Sequence, residues 1–404
     1  MKNPNHKNPI IPRLGVCDPH IHIFQNKAYL YATHDVPGGT FQGSDWEIWS
    51  SPDLINWEKE SSVRPDNTSM GPSHQCWAVD AGEKDGKYYL YVSNGQKETY
   101  VFTSDDPGKG FVDLLGHPVI PEGITKTFSY DPAIFADDDG QQYIVFGAPV
   151  WVNADSYYIA KLGEDMMSLA EAPRKIQLDD TADDKPTLHK HNGIYYLSWG
   201  SYYATSDNVY GPYTTRGNLN LSIDHTSVFQ WNNQWFMAFT IEETVKYCRR
   251  ATGIAYVHFR ENGEMCSDSL IREYGVGQYD ALWNNIEAEW YMAGENIRKK
   301  ENSLGNFDVE MHEGSSLTFP HVRNIPENAW LMLVGVAEQD VDVEVYADGR
   351  LAGVLRKEKS ILWAGEFTKY RGDLLKLDVP AGEHDIRLVT RGDLRLNFMR
   401  FLTE

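Results

Sequence analysis

A chain of 404 residues is longer than one ordinary core accommodates, so two domains are expected. Charged residues make up 24% and hydrophobic ones 41%, the composition of a soluble globular protein. The formal net charge of -21 argues against nucleic acid or an anionic membrane as the main partner, because both recruit a basic face.

The N-terminal stretch MKNPNHKNPIIPRLG lacks the apolar segment of a signal peptide, and no apolar run approaches the roughly 20 residues of a membrane span. Cys17, Cys76, Cys248 and Cys266 show no CxxC spacing. A reduced, cytoplasmic protein is the expectation, or a secreted one if a leader has been removed. From there a hairpin signature recurs five times: IHIFQNKAYLYA (21–32), AVDAGEKDGKYYLYVS (78–93), AIFADDDGQQYIVFG (133–147), TLHKHNGIYYLSWG (187–200) and SVFQWNNQWFMAFT (227–240). Each copy is an apolar stretch, a turn rich in Asn, Asp and Gly, and an aromatic-rich strand. Outer-strand stretches follow, among them WEIWSSPDLINWEKE (46–60), YVFTSDDPGKGF (100–111) and YYATSDNVYGPY (202–213). A unit of about four strands, repeated at roughly 40–60 residues without long amphipathic helices, predicts a β-propeller of five blades. The 12 Trp and 23 Tyr suit both β-packing and stacking on sugar rings.

After LWNN (282–285) the pattern changes to short alternating strands: LMLVGVA (331–337), VDVEVYADGRLAGVL (341–355), LLKLDVPAGEHDIRLVTRG (374–392) and LRLNFMRF (394–401). The expected architecture is therefore all-β, with a five-bladed propeller over 1–283 and a small β-sandwich of jelly-roll type over 284–404.

In a propeller the first strand of each blade starts near the axis, so the residues just ahead of the hairpins converge on one mouth. These are Asp18, Asp80 with Trp77 ahead of it, Asp131, Lys185, and the pair Asp224–His225. A lone Asp before a strand is a common turn residue. The same register in several blades points to a site, since clustered like charges cost folding energy. His20 follows the first Asp-Pro and His22 shares its side by strand alternation. His34–Asp35 closes the first hairpin, while His189 and His191 sit on the fourth, where structural roles are expected.

DPHIHIFQNKAYLYATHD, CWAVDAGEKDGKYYLYVS, YDPAIFADDDGQQYIVFG, KPTLHKHNGIYYLSWGSYYATSDNVYGPY and DHTSVFQWNNQWFMAFT together resemble glycoside hydrolase family 43, over residues 10 to about 280. The segment from IEAEWY to AGEHDIRL and LNFMRF resembles a family 6 carbohydrate-binding module. The resemblance implies an inverting glycosidase acting on arabinose- or xylose-containing oligo- or polysaccharides, with Asp18 as general base and Asp131 as the carboxylate that tunes the acid. It implies substrate contacts at Trp77, Asp80, Arg250 and His225, and His20, His34, Asp35, Tyr130 and Glu242 join them as candidate substrate-binding residues. No cofactor is needed for the chemistry. His225, and Glu287 with Glu289 in the C-terminal module, are the expected metal positions, with structural calcium the ion in view.

The resembled enzymes carry their acid as Glu-Gly-Pro or Glu-Ala-Pro before the fourth hairpin, and here the residue before the proline is Lys185. An ordinary lysine, with a pKa of about 10.4, holds its proton too tightly for acid catalysis, and a neighbouring carboxylate raises it further. Several readings stay open. The acid comes from Glu122, Glu242 or Glu243; the leaving group needs none; Lys185 binds a uronate or sulfate; the propeller binds sugars without cleaving them; or the functional carboxylate is the neighbouring Asp183 or Asp184.

Overall fold

The computed structural model describes residues 6–36, 41–148, 157–180, 182–219, 223–242, 250–361 and 369–403. Hairpin closure follows the turn chemistry of the sequence. Phe24 pairs with Lys27 across Gln25–Asn26, Lys84 with Lys87 across Asp85–Gly86, and His191 with Ile194 across Asn192–Gly193. All six turn residues have positive φ, which two-residue hairpin loops require.

The hairpins open four sheets of four strands and one of three. The first sheet runs Val16–Phe24, Lys27–His34, Trp46–Ser51, Glu58–Val63, and the second Cys76–Lys84, Lys87–Asn94, Glu98–Ser104. The third is Ala133–Ala136, Gln142–Phe146, Tyr158–Lys161, Arg174–Lys175. The fourth is Thr187–His191, Ile194–Trp199, Tyr202–Ser206, Thr214–Asn218, and the fifth Asp224–Trp231, Gln234–Glu242, Arg250–Phe259, Met265–Cys266. The expected fourth strand of the second sheet is reduced to single bridges, Thr103 to Val112 and Thr99 to Ile120.

Aromatic side chains fill the spaces between sheets. Tyr31, Trp46 and Ile48 pack against Val79, Leu90 and Phe102; Tyr91 and Val101 against Ile134 and Phe146; Phe135 and Tyr157 against Leu197 and Trp199. Each fully buried side chain of this size contributes on the order of 1.5–3 kcal/mol, so packing accounts for most of the aromatic content. Polar links join neighbouring sheets around the axis. The Ile134 amide donates to Asp80 at 2.6 Å, Thr226 Oγ1 to the Gly200 carbonyl at 3.2 Å, and the Ile21 amide to Ser227 Oγ at 3.3 Å. The entry segment closes the ring, with the Ile10 and Gly15 amides donating to the Thr252 and Arg250 carbonyls. The fold is a five-bladed β-propeller followed by a nearly closed sandwich-like sheet.

The chain divides into two units. One comprises Met1–Phe229, Phe236–Ala255 and Ser267–Gly275. The other comprises Gln230–Trp235, Tyr256–Cys266 and Val276–Glu404. In the second, seven strands line up in the order Arg350–Lys357, Val341–Ala347, Gly382–Thr390, Phe307–Ile325, Leu394–Leu402, Trp330–Val336, Arg371–Lys376. Ala293–Glu301 adds to Phe307–Ile325, and Ile286–Glu287 to Leu394–Leu402. Alternation is strict in Val341–Ala347, where Val341, Val343, Val345 and Ala347 are buried. Trp290 and Tyr291 are core residues, while Trp363 and Cys248 lie outside the described residues. Among the described residues Cys17, Cys76 and Cys266 form no disulfide. Among the described residues no helix is long and apolar enough to cross a membrane.

Candidate active site

Four of the five sheets open on the same backbone device. Asp18, Asp131, Lys185 and His225 all have positive φ, at 49°, 51°, 62° and 26°. Left-handed backbone costs a residue with a Cβ on the order of 1–2 kcal/mol, so its recurrence at equivalent places calls for compensation. Cross-sheet hydrogen bonds supply it. The Asp18 amide donates to Thr240 Oγ1 at 2.8 Å, the Asp131 amide to Ser93 Oγ at 3.1 Å, and the Lys185 amide to Asp131 Oδ2 at 3.0 Å. Lys185 thus occupies the same backbone position as the two aspartates, as its place before a proline suggested.

These entry residues surround a cavity of about 700 Å³. Its floor holds Asp18, Asp131, Asp184, Lys185, Asp224 and His225; Phe41, Trp77 and Tyr130 form an aromatic wall; Arg250 and Glu242 complete it. The wall is braced, because Trp77 Nε1 donates to the Phe41 carbonyl at 2.8 Å and the Trp77 and Tyr130 rings lie 5.9 Å apart. Six carboxyl side chains, counting Asp183, face two cations, and a negative excess remains even with Asp131 and Asp184 drawn toward the protonated form. Such a surplus of negative charge disfavours a uronate or sulfate on the substrate and suits a neutral sugar.

Asp18 is buried, which by itself raises a carboxyl pKa, but the Arg250 guanidinium, together with smaller contributions that include a Thr33 hydrogen bond and the Lys185 ammonium, outweighs burial and holds Asp18 below its ordinary value. Arg250 Nη1 lies 2.5 Å from Asp18 Oδ1, while its Nε and Nη2 grip Asp35 at 2.8 and 2.9 Å. Asp35 therefore aims the guanidinium and Asp18 receives its charge at Oδ1, while Cys17 Sγ donates weakly to Asp18 Oδ2 at 4.0 Å, which leaves that oxygen a lone pair for a water. Arg250→Met is expected to raise the Asp18 pKa and move the acidic limb of kcat/KM upward by about one pH unit. Stability responds with the same sign. A depressed carboxyl stabilises the fold fully above its unfolded value near pH 4, and that contribution is lost as pH falls through the folded value. Rate and thermal melting against pH, with Arg250→Lys as the charge-retaining control, check this. An acidic limb identical in all three proteins contradicts it.

Asp131 and Asp184 behave oppositely. Burial, then Asp184 and Asp18, push Asp131 well above the usual carboxylate range. Burial also raises Asp184, against the pull of the Lys185 ammonium. Asp184 Oδ2 accepts from Tyr130 Oη at 2.9 Å, and Asp184 Oδ1 from Lys185 Nζ at 2.9 Å. Lys185 itself is held above its ordinary value: burial works to lower it, but Asp224, Asp184 and Asp183 more than compensate. An ammonium so held is a charge partner and does not release a proton at moderate pH.

The remaining expected positions divide clearly. Trp77, Tyr130, Glu242, Arg250 and His225 line the cavity with Asp18, Asp131 and Lys185. His20, Asp35 and Asp80 are buried and do not line it, and His34 pairs with Asp45 at 2.9 Å, also away from it. They form a supporting layer. His20 Nδ1 faces Asp80 Oδ2 at 3.1 Å and its Nε2 faces His225 Nε2 at 3.1 Å, with His22 on Asp80 Oδ1 at 2.6 Å. Burial lowers His225 to about 3, so it is neutral. His225 is held between His20 and Asp18, its Nδ1 3.8 Å from Asp18 Oδ1. Calcium seeks six to eight oxygens, and the one nitrogen of His225 beside an Asp18 oxygen already taken by Arg250 does not fit it. In the C-terminal unit Glu287 accepts from Asn285 Nδ2 and Glu289 is buried. Among the described residues neither belongs to a cluster of three ligating side chains. His189 is buried and stacks on Tyr196 at 4.9 Å, a packing role. Glu122 is exposed and does not line the cavity, and Glu243 lies outside the described residues.

Comparison with known proteins bears on the family and the fold. The profile described as glycosyl hydrolases family 43 matches residues 6–265. A xylosidase/arabinosidase of Bacteroides ovatus is 29% identical over 293 residues, 57% of this chain and 87% of that protein. A solved family 43 β-xylosidase/α-arabinofuranosidase from a compost metagenome, in complex with xylotriose, is 26% identical with a TM-score of 0.58 over 66% of this chain and 98% of its own. The arabinoxylan arabinofuranohydrolase of Bacillus subtilis, solved with cellotetraose, shares the fold over 98% of this chain and 97% of its own, with a TM-score of 0.59 at 20% identity.

Proposed function

The chain belongs to glycosyl hydrolases family 43 and is an O-glycosyl hydrolase, and on that premise we propose that it cleaves arabinose- or xylose-containing glycans with inversion, using Asp18 as general base, Asp184 as general acid and Asp131 as the carboxyl that keeps the acid protonated. One observation carries this reading. Carboxyls lining a single cavity are driven apart, Asp18 downward and Asp131 with Asp184 upward. Environments that separate like groups in this way assign base and acid.

In the proposed reaction a water bound to Asp18 attacks the anomeric carbon. Its oxygen forms the new C–O bond as the glycosidic C–O bond breaks. One proton passes from water to Asp18, and another from Asp184 to the departing oxygen. Exchange with solvent restores both groups. The aromatic wall of Trp77, Phe41 and Tyr130 offers flat faces to the sugar ring, and the surplus of carboxyls favours a neutral one.

The test is proton NMR of the first sugar released from arabinoxylo- and xylo-oligosaccharides. The newly formed anomer is expected to be inverted relative to the substrate. A product of retained configuration would rule out the water-activating role of Asp18.

A further inference from the structure

Lys185 has no role in that scheme, yet its side chain is tightly held in the cavity. It stands at φ 62°, a backbone region that favours glycine. Its ammonium has three protons to donate and three carboxylate oxygens around it: Asp183 Oδ2 at 3.0 Å, Asp184 Oδ1 at 2.9 Å and Asp224 Oδ1 at 2.7 Å. The side chain is only 12% exposed. With every donor engaged, the ammonium is not available to bind an anionic substituent. Two of its partners precede the fourth sheet and the third opens the fifth, so one cation ties together two adjacent entry segments.

We propose that Lys185 is a positioning residue for the proton donor, a built-in cation that clamps the Asp184 carboxyl in place and neutralises Asp183 and Asp224 beside it. The proposal rests on Asp184 being the acid. The groups facing Asp184 are Tyr130 and Asp131 from the third entry segment, Tyr157 just ahead of the strand Tyr158–Lys161, Asp183 and Lys185 from its own segment, and Asp224 through Lys185. Lys185 is the cation of this set. Removing its charge withdraws the pull that offsets burial, and also leaves Asp183 and Asp224 uncompensated. Both effects make Asp184 hold its proton to higher pH.

The experiment is the pH profile of kcat/KM on an unactivated arabinoxylo-oligosaccharide for the parent protein, Lys185→Met, Lys185→Arg and Asp184→Asn. In Lys185→Met the alkaline limb is expected to move upward by about one pH unit, with kcat reduced about tenfold or more and KM little changed. Lys185→Arg keeps the charge and is expected to keep the parent limb. If Lys185→Met does not fold, Lys185→Gly replaces it, since glycine adopts φ 62° freely. An alkaline limb that stays in place or moves downward when the charge is removed overturns the positioning role, while Asp184 remains the acid if Asp184→Asn has lost activity. Full activity of Asp184→Asn removes the acid assignment, and the positioning role falls with it.

Discussion

Asp18→Asn is expected to abolish hydrolysis of activated and unactivated glycosides alike, lowering kcat by about 10³-fold or more. A good leaving group removes the need for an acid but not the need to deprotonate the attacking water, so a 4-nitrophenyl glycoside offers no rescue. The substitution is nearly isosteric. The amide oxygen still accepts from Arg250, and the Asp18 backbone amide still reaches Thr240 Oγ1. Asp35 keeps its two-pronged hold on Arg250, so the buried cation is not stranded. The stability loss is therefore expected below the roughly 3–5 kcal/mol that follows when a buried pair loses one partner outright. Steady-state kinetics on both substrate types, beside a thermal melt, check the prediction. A folded variant within tenfold of the parent on either substrate would remove Asp18 from the role of base.

The propeller was legible in the sequence because its hairpins are encoded locally. Asn26, Asp85 with Gly86, and Asn192 with Gly193 supply positive φ where the loops need it, and the strands beside them read as aromatic and β-branched. The outer edges were harder to see. Arg174–Lys175 and Met265–Cys266 are two-residue strands held by their neighbours and carry no periodicity of their own. In the second unit the longest strand, Phe307–Ile325, was the least visible, because it bulges around Phe319 and Val322 and its alternation breaks there.

Asp18, Trp77, Asp131, Lys185, Asp224 and His225, grouped at one mouth by the sequence, line one cavity, whereas Asp80 does not. The position before the proline correctly marked the entry of the fourth sheet, and Lys185 shares the left-handed backbone of Asp18 and Asp131. What the sequence left open is how the neighbouring acids are used there: Asp183 and Asp184 line the cavity together with Lys185, and the lysine folds back upon Asp184. How adjacent side chains are arranged in a cavity depends on backbone dihedrals and on tertiary partners such as Tyr130, 54 positions away. The Arg250 bridge is likewise invisible to local spacing, since its two aspartates lie 215 and 232 positions from it. Two adjacent acids ahead of a proline were the available signal.

Asp184→Asn separates the candidates for the acid most sharply, because its effect depends on the leaving group. On a natural oligosaccharide the departing alkoxide needs a proton in the transition state, and a loss of about 10²–10⁴-fold is expected, up to roughly 5 kcal/mol of barrier. On a 4-nitrophenyl glycoside the leaving group departs as a stabilised phenolate, and the rate is expected to stay within about tenfold of the parent. The alkaline limb of the profile on that substrate should also vanish, since no group in the cavity then has to remain protonated. The asparagine keeps one acceptor oxygen for Lys185 Nζ, and its Nδ2 can donate to Tyr130 Oη where Asp184 accepted, so a thermal melt beside the kinetics separates loss of the proton from loss of packing. Glu242→Gln serves as the control at the cavity rim. Glu242 is exposed at the end of its strand and is expected to change neither substrate by more than a few fold. If the leaving-group split follows Glu242→Gln, the donor is Glu242. If neither variant shows the split while Lys185→Met does, the lysine is the donor, and the three carboxylates around its ammonium must then reorganise on substrate binding for that proton to leave.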